Sequence, residues 1–185
     1  MADARILIVD DHPLCREALR NALSAGKSQL DISEAGSLDT LIAHLAKDDT
    51  CDLVLLDLRM PGVQGLSGLI YLRSQYPNIP VVIVSASEEA GIVQKSLDLG
   101  ASGFIPKSSG TTTIIEAVET VLAGGVWTPP WAQPNAGTVL RPRTVRQRKG
   151  KLAGILPLFL SCTSTRQKPR PGLDGKRSNR RLYWG

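Results

Sequence analysis

Asp10, Asp11, Asp57, Ser85 and Lys107 are the residues of this chain whose types and placement suit phosphoryl chemistry. Each follows a short, largely apolar run. Asp10-Asp11 follows Arg5-Ile6-Leu7-Ile8-Val9, and Asp57 follows Leu53-Val54-Leu55-Leu56. Ser85 follows Val81-Val82-Ile83-Val84, and Lys107 closes Gly103-Phe104-Ile105-Pro106. Crowded carboxylates resist ionising unless a cation joins them. Hard oxygen ligands of this kind suit Mg2+, which keeps some of its waters and shares its other positions with phosphate. A carboxylate can also act as a nucleophile and carry a phosphoryl group as an acyl phosphate. Such a transfer needs charge neutralisation above all, and a metal ion and a lysine ammonium supply it. The Ser85 hydroxyl is placed to hydrogen-bond a phosphoryl oxygen.

For these groups to meet, the runs must be parallel strands with their C-terminal ends on one edge. The first 125 residues alternate apolar runs with amphipathic stretches, the pattern of a parallel sheet wrapped by helices. Strands are expected at Arg5–Val9, Leu30–Ala35, Leu53–Asp57, Val81–Val84 and Gly103–Ile105. The second alternates apolar and polar residues and should be half-exposed, whereas the fourth is apolar throughout and should be central. The first helix should start near Pro13, which suits a position needing no donor, and end before Gly26. The second should begin with Ser37 as its cap and continue through Leu38, Leu41, Ile42 and Leu45. The third should span about Leu66 to Gln75 with Leu66, Leu69, Ile70 and Leu72 facing inward. The fourth should run from about Glu88 to Leu99, and the fifth from about Thr112 to Ala123. Five strands and five helices in strict alternation imply an α/β, flavodoxin-like doubly wound fold with a five-stranded parallel sheet of order 2-1-3-4-5. That order sets the first and third strands side by side at the switch point, so Asp10, Asp11 and Asp57 share one crevice.

The overall charge of +5 hides an asymmetry. Residues 1 to 137 carry 9 Lys and Arg against 16 Asp and Glu, a net of −7, while residues 138 to 185 carry 13 against 1, a net of +12. An acidic globular domain followed by a basic tail is the natural reading, and basic tails attract nucleic acid or anionic surfaces. Cys15, Cys51 and Cys162 have neither paired nor metal-ligand spacing, so reduced thiols are expected. A first strand at Arg5 is expected to leave no room for a signal peptide, and no apolar stretch of the tail could span a bilayer. The acidic part is expected to be soluble and cytoplasmic, with no membrane partner.

Residues 3 to 125 resemble the receiver domain of bacterial two-component response regulators. The resemblance rests on Asp10-Asp11, on Asp57 within Asp-Leu-Arg-Met-Pro-Gly, on Ser85-Ala86-Ser87, and on Lys107 within Phe-Ile-Pro-Lys-Ser. It implies a phosphorylation-activated switch rather than an enzyme, with Asp57 accepting phosphate from a sensor histidine kinase. It further implies that Asp11 and Asp57 bind Mg2+, that Asp10 helps largely through water, and that the main-chain carbonyl of Arg59 is another metal ligand. Lys107 would pair with the phosphoryl group, Ser85 would move toward it, and Phe104 would be the aromatic switch that reports the state of Asp57. Taken singly, the residues have blander readings: Asp10, Asp11 and Asp57 as caps, Ser85 as a turn residue, Lys107 as a surface charge and Phe104 as core. Four matches in order on four strand ends override them. His12 and His44 lack a carboxylate or cysteine partner at ligand spacing and are expected to take no part.

The domain reading is thus a receiver at 1–125, a Pro-rich linker at 126–137 and a basic tail at 138–185. The front half is similar to that of regulators ending in a LuxR-type helix-turn-helix, but the tail is broken by prolines at 142, 157, 169 and 171 and shows no such motif. One reading is a disordered basic arm that contacts nucleic acid through phosphates, which would make the chain a DNA-binding transcriptional regulator. The other is a shift of reading frame after the linker. It better suits Leu156-Pro157-Leu158-Phe159-Leu160 set among Arg-rich stretches. Signal output would then pass through a partner or a homodimer.

Overall fold

The apolar runs form strands and the amphipathic stretches between them form helices. The computed structural model describes residues 4–26, 29–48 and 50–133. In chain order the elements are β1 (Ala4–Val9), α1 (Pro13–Ser24), β2 (Leu30–Ala35), α2 (Leu38–Lys47), β3 (Leu53–Asp57), β4 (Arg59–Met60), β5 (Val63–Gln64), α3 (Ser67–Gln75), β6 (Val81–Ser85), α4 (Ala90–Asp98), β7 (Gly103–Pro106) and α5 (Thr111–Leu122). A parallel five-stranded sheet runs in the order β2-β1-β3-β6-β7, which is the expected 2-1-3-4-5 once β4 and β5 are set aside. The sequence expected as a tail, residues 138–185 with Cys162, lies outside the described residues, as does the end of the expected linker.

The period-two alternation of the central strands builds two cores. Ile6, Ile8, Leu53, Leu55, Val82, Val84 and Ile105 pack with α1 and α5 on one face. Leu7, Val9, Val54, Leu56, Val81, Ile83 and Phe104 pack with α2, α3 and α4 on the other. Helices on both faces explain why β3 and β6 are buried along their whole length. Edge strand β2 is only partly buried, as its alternating sequence predicts.

Helix boundaries follow local chemistry. Pro13 opens α1, and the Ser37 side chain accepts from the Thr40 amide in a capping box that starts α2. In α3, Leu69 and Leu72 are buried and Leu66 is partly so, but Ile70 is 52% exposed, contrary to expectation. Gly68 lies against Leu56 and Val63, which fixes the inward face. Ile70 is turned about 100° from Leu69 on the side away from Gly68, so it points to water.

Two features were absent from the sequence expectation. Arg59–Met60 and Val63–Gln64 pair antiparallel as a small hairpin around Pro61-Gly62, where Gly62 has φ 81°. That is the positive φ a Pro-Gly turn requires. The second is a strap over the outer edge of β7. The Trp127 amide donates to the Ser102 carbonyl at 3.1 Å, and the Phe104 amide donates to the Trp127 carbonyl at 3.1 Å. Residues 126–133 therefore begin the expected linker as part of the domain, with Trp127 and Thr128 buried and a 3-10 turn at Pro130–Ala132. The approach is so close that a Cβ on Gly103 would stand 2.9 Å from the Trp127 carbonyl oxygen.

Cys15 and Cys51 are unpaired. Burial pushes the Cys51 thiol up to about 11, so it is an unreactive packing group. Among the described residues, no helix is long and apolar enough to cross a membrane.

Candidate functional site

The crevice lies where the chain order reverses between β1 and β3. Val9 is opposite Leu56, so the next residues, Asp10 and Asp57, emerge side by side at the strand tips. Both are 1% exposed. Asp57 is also opposite Val84, which puts Ser85 at the tip of the neighbouring strand. Ser85 is buried, its Oγ accepts from the Ser87 amide at 3.1 Å, and its carbonyl accepts from the Lys107 amide at 2.8 Å. From that anchor at the end of β7, the Lys107 side chain reaches the acids. Its Nζ lies 2.9 Å from Asp57 Oδ2 and 2.7 Å from Asp10 Oδ2.

Burial by itself pulls the Lys107 ammonium down, but hydrogen bonds and charge from Asp10 and Asp57 outweigh it, and the group is held above its ordinary 10.5. Its contribution to stability is complete below that ordinary value and is lost only as pH rises through the higher folded-state value. Across the neutral range the lysine is a fixed cation facing two buried acids.

The loop after β1 is held from beneath. Arg16 Nη1 donates to the Asp10 carbonyl at 2.7 Å, and Arg16 Nε donates to Glu34 Oε2 at 3.0 Å. Arg20 Nε reaches Glu34 Oε1 at 2.7 Å. The Arg20 hydrogen bond, opposed by some burial and aided by Arg16, holds Glu34 below its usual 4.5. Glu34→Gln is expected to lower stability at neutral pH by about 0.5–1 kcal/mol, the scale of a partly exposed ion pair. A depressed carboxylate contributes above its unfolded value and loses that contribution as pH falls through the folded one. The deficit between variant and parent should therefore shrink below pH 4.5. Urea midpoints measured in neutral and acid buffer check this, and a gap that persists in acid would rule out the ion pair as its source.

Arg59 sits on β4 opposite Gln64 with its side chain exposed, two residues past Asp57. Phe104 is fully buried among the residues on the α4 side of the sheet. His12 corrects the sequence reading. Its Nδ1 lies 2.8 Å from Asp11 Oδ1 and 3.4 Å from Asp10 Oδ1. Adjacency hid this contact, since spacing rules look for partners a turn away. The Asp10 side chain accepts from the His12 amide at 2.8 Å, and this tight turn folds the ring back over the acids. His44 lies in the last turn of α2 and is not among the residues grouped at the pocket.

The pocket suits a divalent ion. Asp10, Asp11, His12 and Asp57 each offer a ligand atom, all within 4.8 Å of one another. Asp57 Oδ1 is buried with no hydrogen-bond partner, the kind of orphan acceptor that a cation satisfies.

A doubly wound sheet with such a pocket at its switch point defines a class of signalling domain, and the sequence comparison agrees. Residues 6–119 match the response regulator receiver domain, and the chain belongs to that family. Receiver domains bind Mg2+ at an acidic pocket and interact with histidine kinases. Over 165 residues the chain is 40% identical to the glycerol metabolism activator of Pseudomonas putida, covering 88% of this chain and 72% of that protein. A match of that extent runs past residue 137. Against the transcriptional activator protein ExaE of the same species it is 38% identical over 119 residues, 64% of this chain and 55% of that protein. The chain thus spans little more than half the length of some curated relatives. Among solved structures, a LuxR family DNA-binding response regulator from Silicibacter pomeroyi superposes with TM-score 0.62 at 34% identity, covering 69% of this chain and 98% of that one. The receiver domain of the putative response regulator NarL from Mycobacterium tuberculosis gives 0.57 at 35% identity, covering 67% and 99%.

Proposed function

We propose that this chain is a phosphorylation-driven switch in which Asp57 is the phosphoacceptor and a sensor histidine kinase is the donor. The observation that carries the reading is the division of labour within one carboxylate. Asp57 Oδ2 is held by Lys107, while Oδ1 is buried and has no partner. The Lys107 contact fixes the group, and in the loaded pocket one carboxylate oxygen would face the cation while the other attacks phosphorus. Asp11, Asp57 and the Arg59 carbonyl would hold Mg2+, with Asp10 acting through water. The ion's chemistry is to neutralise the oxygens of the transferring group. Attack by the carboxylate forms the aspartyl–phosphorus bond and breaks the donor's bond to phosphorus, and the donor nitrogen leaves with the electron pair. Lys107 then shifts its ammonium toward the new phosphoryl oxygens, and the Ser85 hydroxyl donates to another. Phe104 responds by repacking beside the tip of β6, which biases one of two populations of the domain. On this reading the receiver is a switch that gains and loses this group rather than an enzyme acting on other substrates, and we place it in the cytoplasm.

The test is incubation of the full chain with acetyl phosphate and Mg2+. A mass gain of one phosphoryl group, labile to hydroxylamine and mapped to the peptide containing Asp57, is expected. A stable label on serine or histidine would defeat the assignment.

A second reading concerns residues 138–185. The match to an activator runs beyond residue 137, which favours a segment continuous with the receiver over a frame change at the linker, and its net charge of +12 suits DNA phosphates. Transcription regulation through that segment predicts a mobility shift that discriminates an operator from random DNA at physiological salt. If binding vanishes at modest salt for both, this reading fails. Translation of the other two frames downstream of codon 137 tests the frame change.

A further inference from the structure

Among the grouped ligand atoms of the acidic pocket, the one from His12 is a nitrogen. Its Nδ1 is 2.8 Å from Asp11 Oδ1, about the spacing of two adjacent ligands on one ion, and the four ligand atoms of Asp10, Asp11, His12 and Asp57 fit within 4.8 Å. An octahedral ion with bonds of about 2.1 Å sets its opposite ligands roughly 4.2 Å apart, so little adjustment seats the atoms of Asp11, His12 and Asp57, with Asp10 reached through water. The turn that places the ring is fixed by the His12 amide donating to Asp10 Oδ1 at 2.8 Å and by Pro13, whose ring locks the first residue of α1. The ring is 63% exposed, so it is not needed for the core. The orphan Oδ1 of Asp57, buried on the same pocket, marks where a cation belongs.

We propose that His12 is a metal ligand in this chain, through Nδ1, and that it converts an oxygen-only pocket into a mixed oxygen–nitrogen site. Imidazole suits Fe2+, Ni2+ and Zn2+, whereas an all-oxygen set suits Mg2+. The site therefore takes such ions in preference to Mg2+ more strongly than its carboxylates alone would. The inference rests on the acidic pocket being the cation site proposed above.

The test uses the full, tag-free chain loaded with Mn2+, read by electron spin-echo envelope modulation, together with calorimetric titrations of Ni2+ and Mg2+. Imidazole nitrogen coupling to Mn2+ is expected in the parent chain and absent in His12→Ala. The Ni2+ to Mg2+ affinity ratio should fall about tenfold in that variant, with Mg2+ affinity nearly unchanged. Mn2+ bound in the parent chain without imidazole coupling would overturn the proposal and leave the oxygen site standing. Coupling that survives His12→Ala would also overturn it, since it would come from another histidine. Mn2+ binding that is undiminished in the Asp11→Asn, Asp57→Asn double variant would overturn the cation site itself.

Discussion

Asp57→Asn is expected to abolish acyl-phosphate formation, lowering the labelling rate by roughly a thousandfold or more, the consequence of removing the nucleophile proposed for the reaction. The substitution is nearly isosteric. The amide can keep its place at the tip of β3, where strand pairing to β1 and β6 fixes the backbone on both sides. What it loses is the charge and the lone pair on Oδ1, the atom left without a partner. Circular dichroism should be unchanged, so a null result in labelling reads chemistry and not unfolding. The measurement is acid-labile phosphate per chain after incubation with acetyl phosphate and Mg2+. Should the variant label at anything near the parental rate, another residue is the acceptor and the role of the pocket has to be rewritten.

Lys107→Met is expected to have the largest effect on stability. The ammonium is the cation shared by Asp10 and Asp57, both 1% exposed, and an uncharged chain of similar length leaves two acids buried side by side. Breaking a buried ion pair by removing one partner costs about 3 kcal/mol or more, which for a domain of this size lowers Tm by roughly 10 °C. The loss should be specific to metal-free protein. Mg2+ replaces the missing cation and is no longer opposed by a neighbouring positive charge, so its addition should raise Tm more in the variant than in the parent. Differential scanning calorimetry with and without Mg2+ decides the matter. Equal melting of the two metal-free proteins would mean that Lys107 is not what holds the acids together.

Much of this was legible before any coordinates. The runs at Arg5–Val9, Leu53–Asp57 and Val81–Val84 are too apolar for anything but sheet interior, and the acids and hydroxyl that end them could only collect on one edge. Ser37 announced its helix because a serine cap acts through backbone amides a few residues away. What escaped reading depended on contacts of other kinds. Ile70 sits in an apolar stretch, and only the position of Gly68 against Leu56 and Val63 shows which side of α3 is buried. His12 escapes spacing rules because its partners are its immediate neighbours, and a tight turn that folds a side chain onto the preceding residue leaves no periodic trace. The hairpin around Pro61-Gly62 did carry a signal, since Pro-Gly between Met60 and Val63 is a two-residue turn. The strap was hidden by composition: prolines at 129 and 130 suggest a linker, and the better clue was Trp127, too costly a side chain to leave in water.

The backbone bonds from Trp127 to Ser102 and Phe104 also bear on how a shorter version of this protein should be cut. A fragment ending at residue 125, where the helical pattern stops, would uncover the Ser102 carbonyl and the Phe104 amide at the sheet edge and invite association with a second fragment. One ending after residue 133 retains its own selvedge and should stay monodisperse at concentrations where the shorter fragment precipitates.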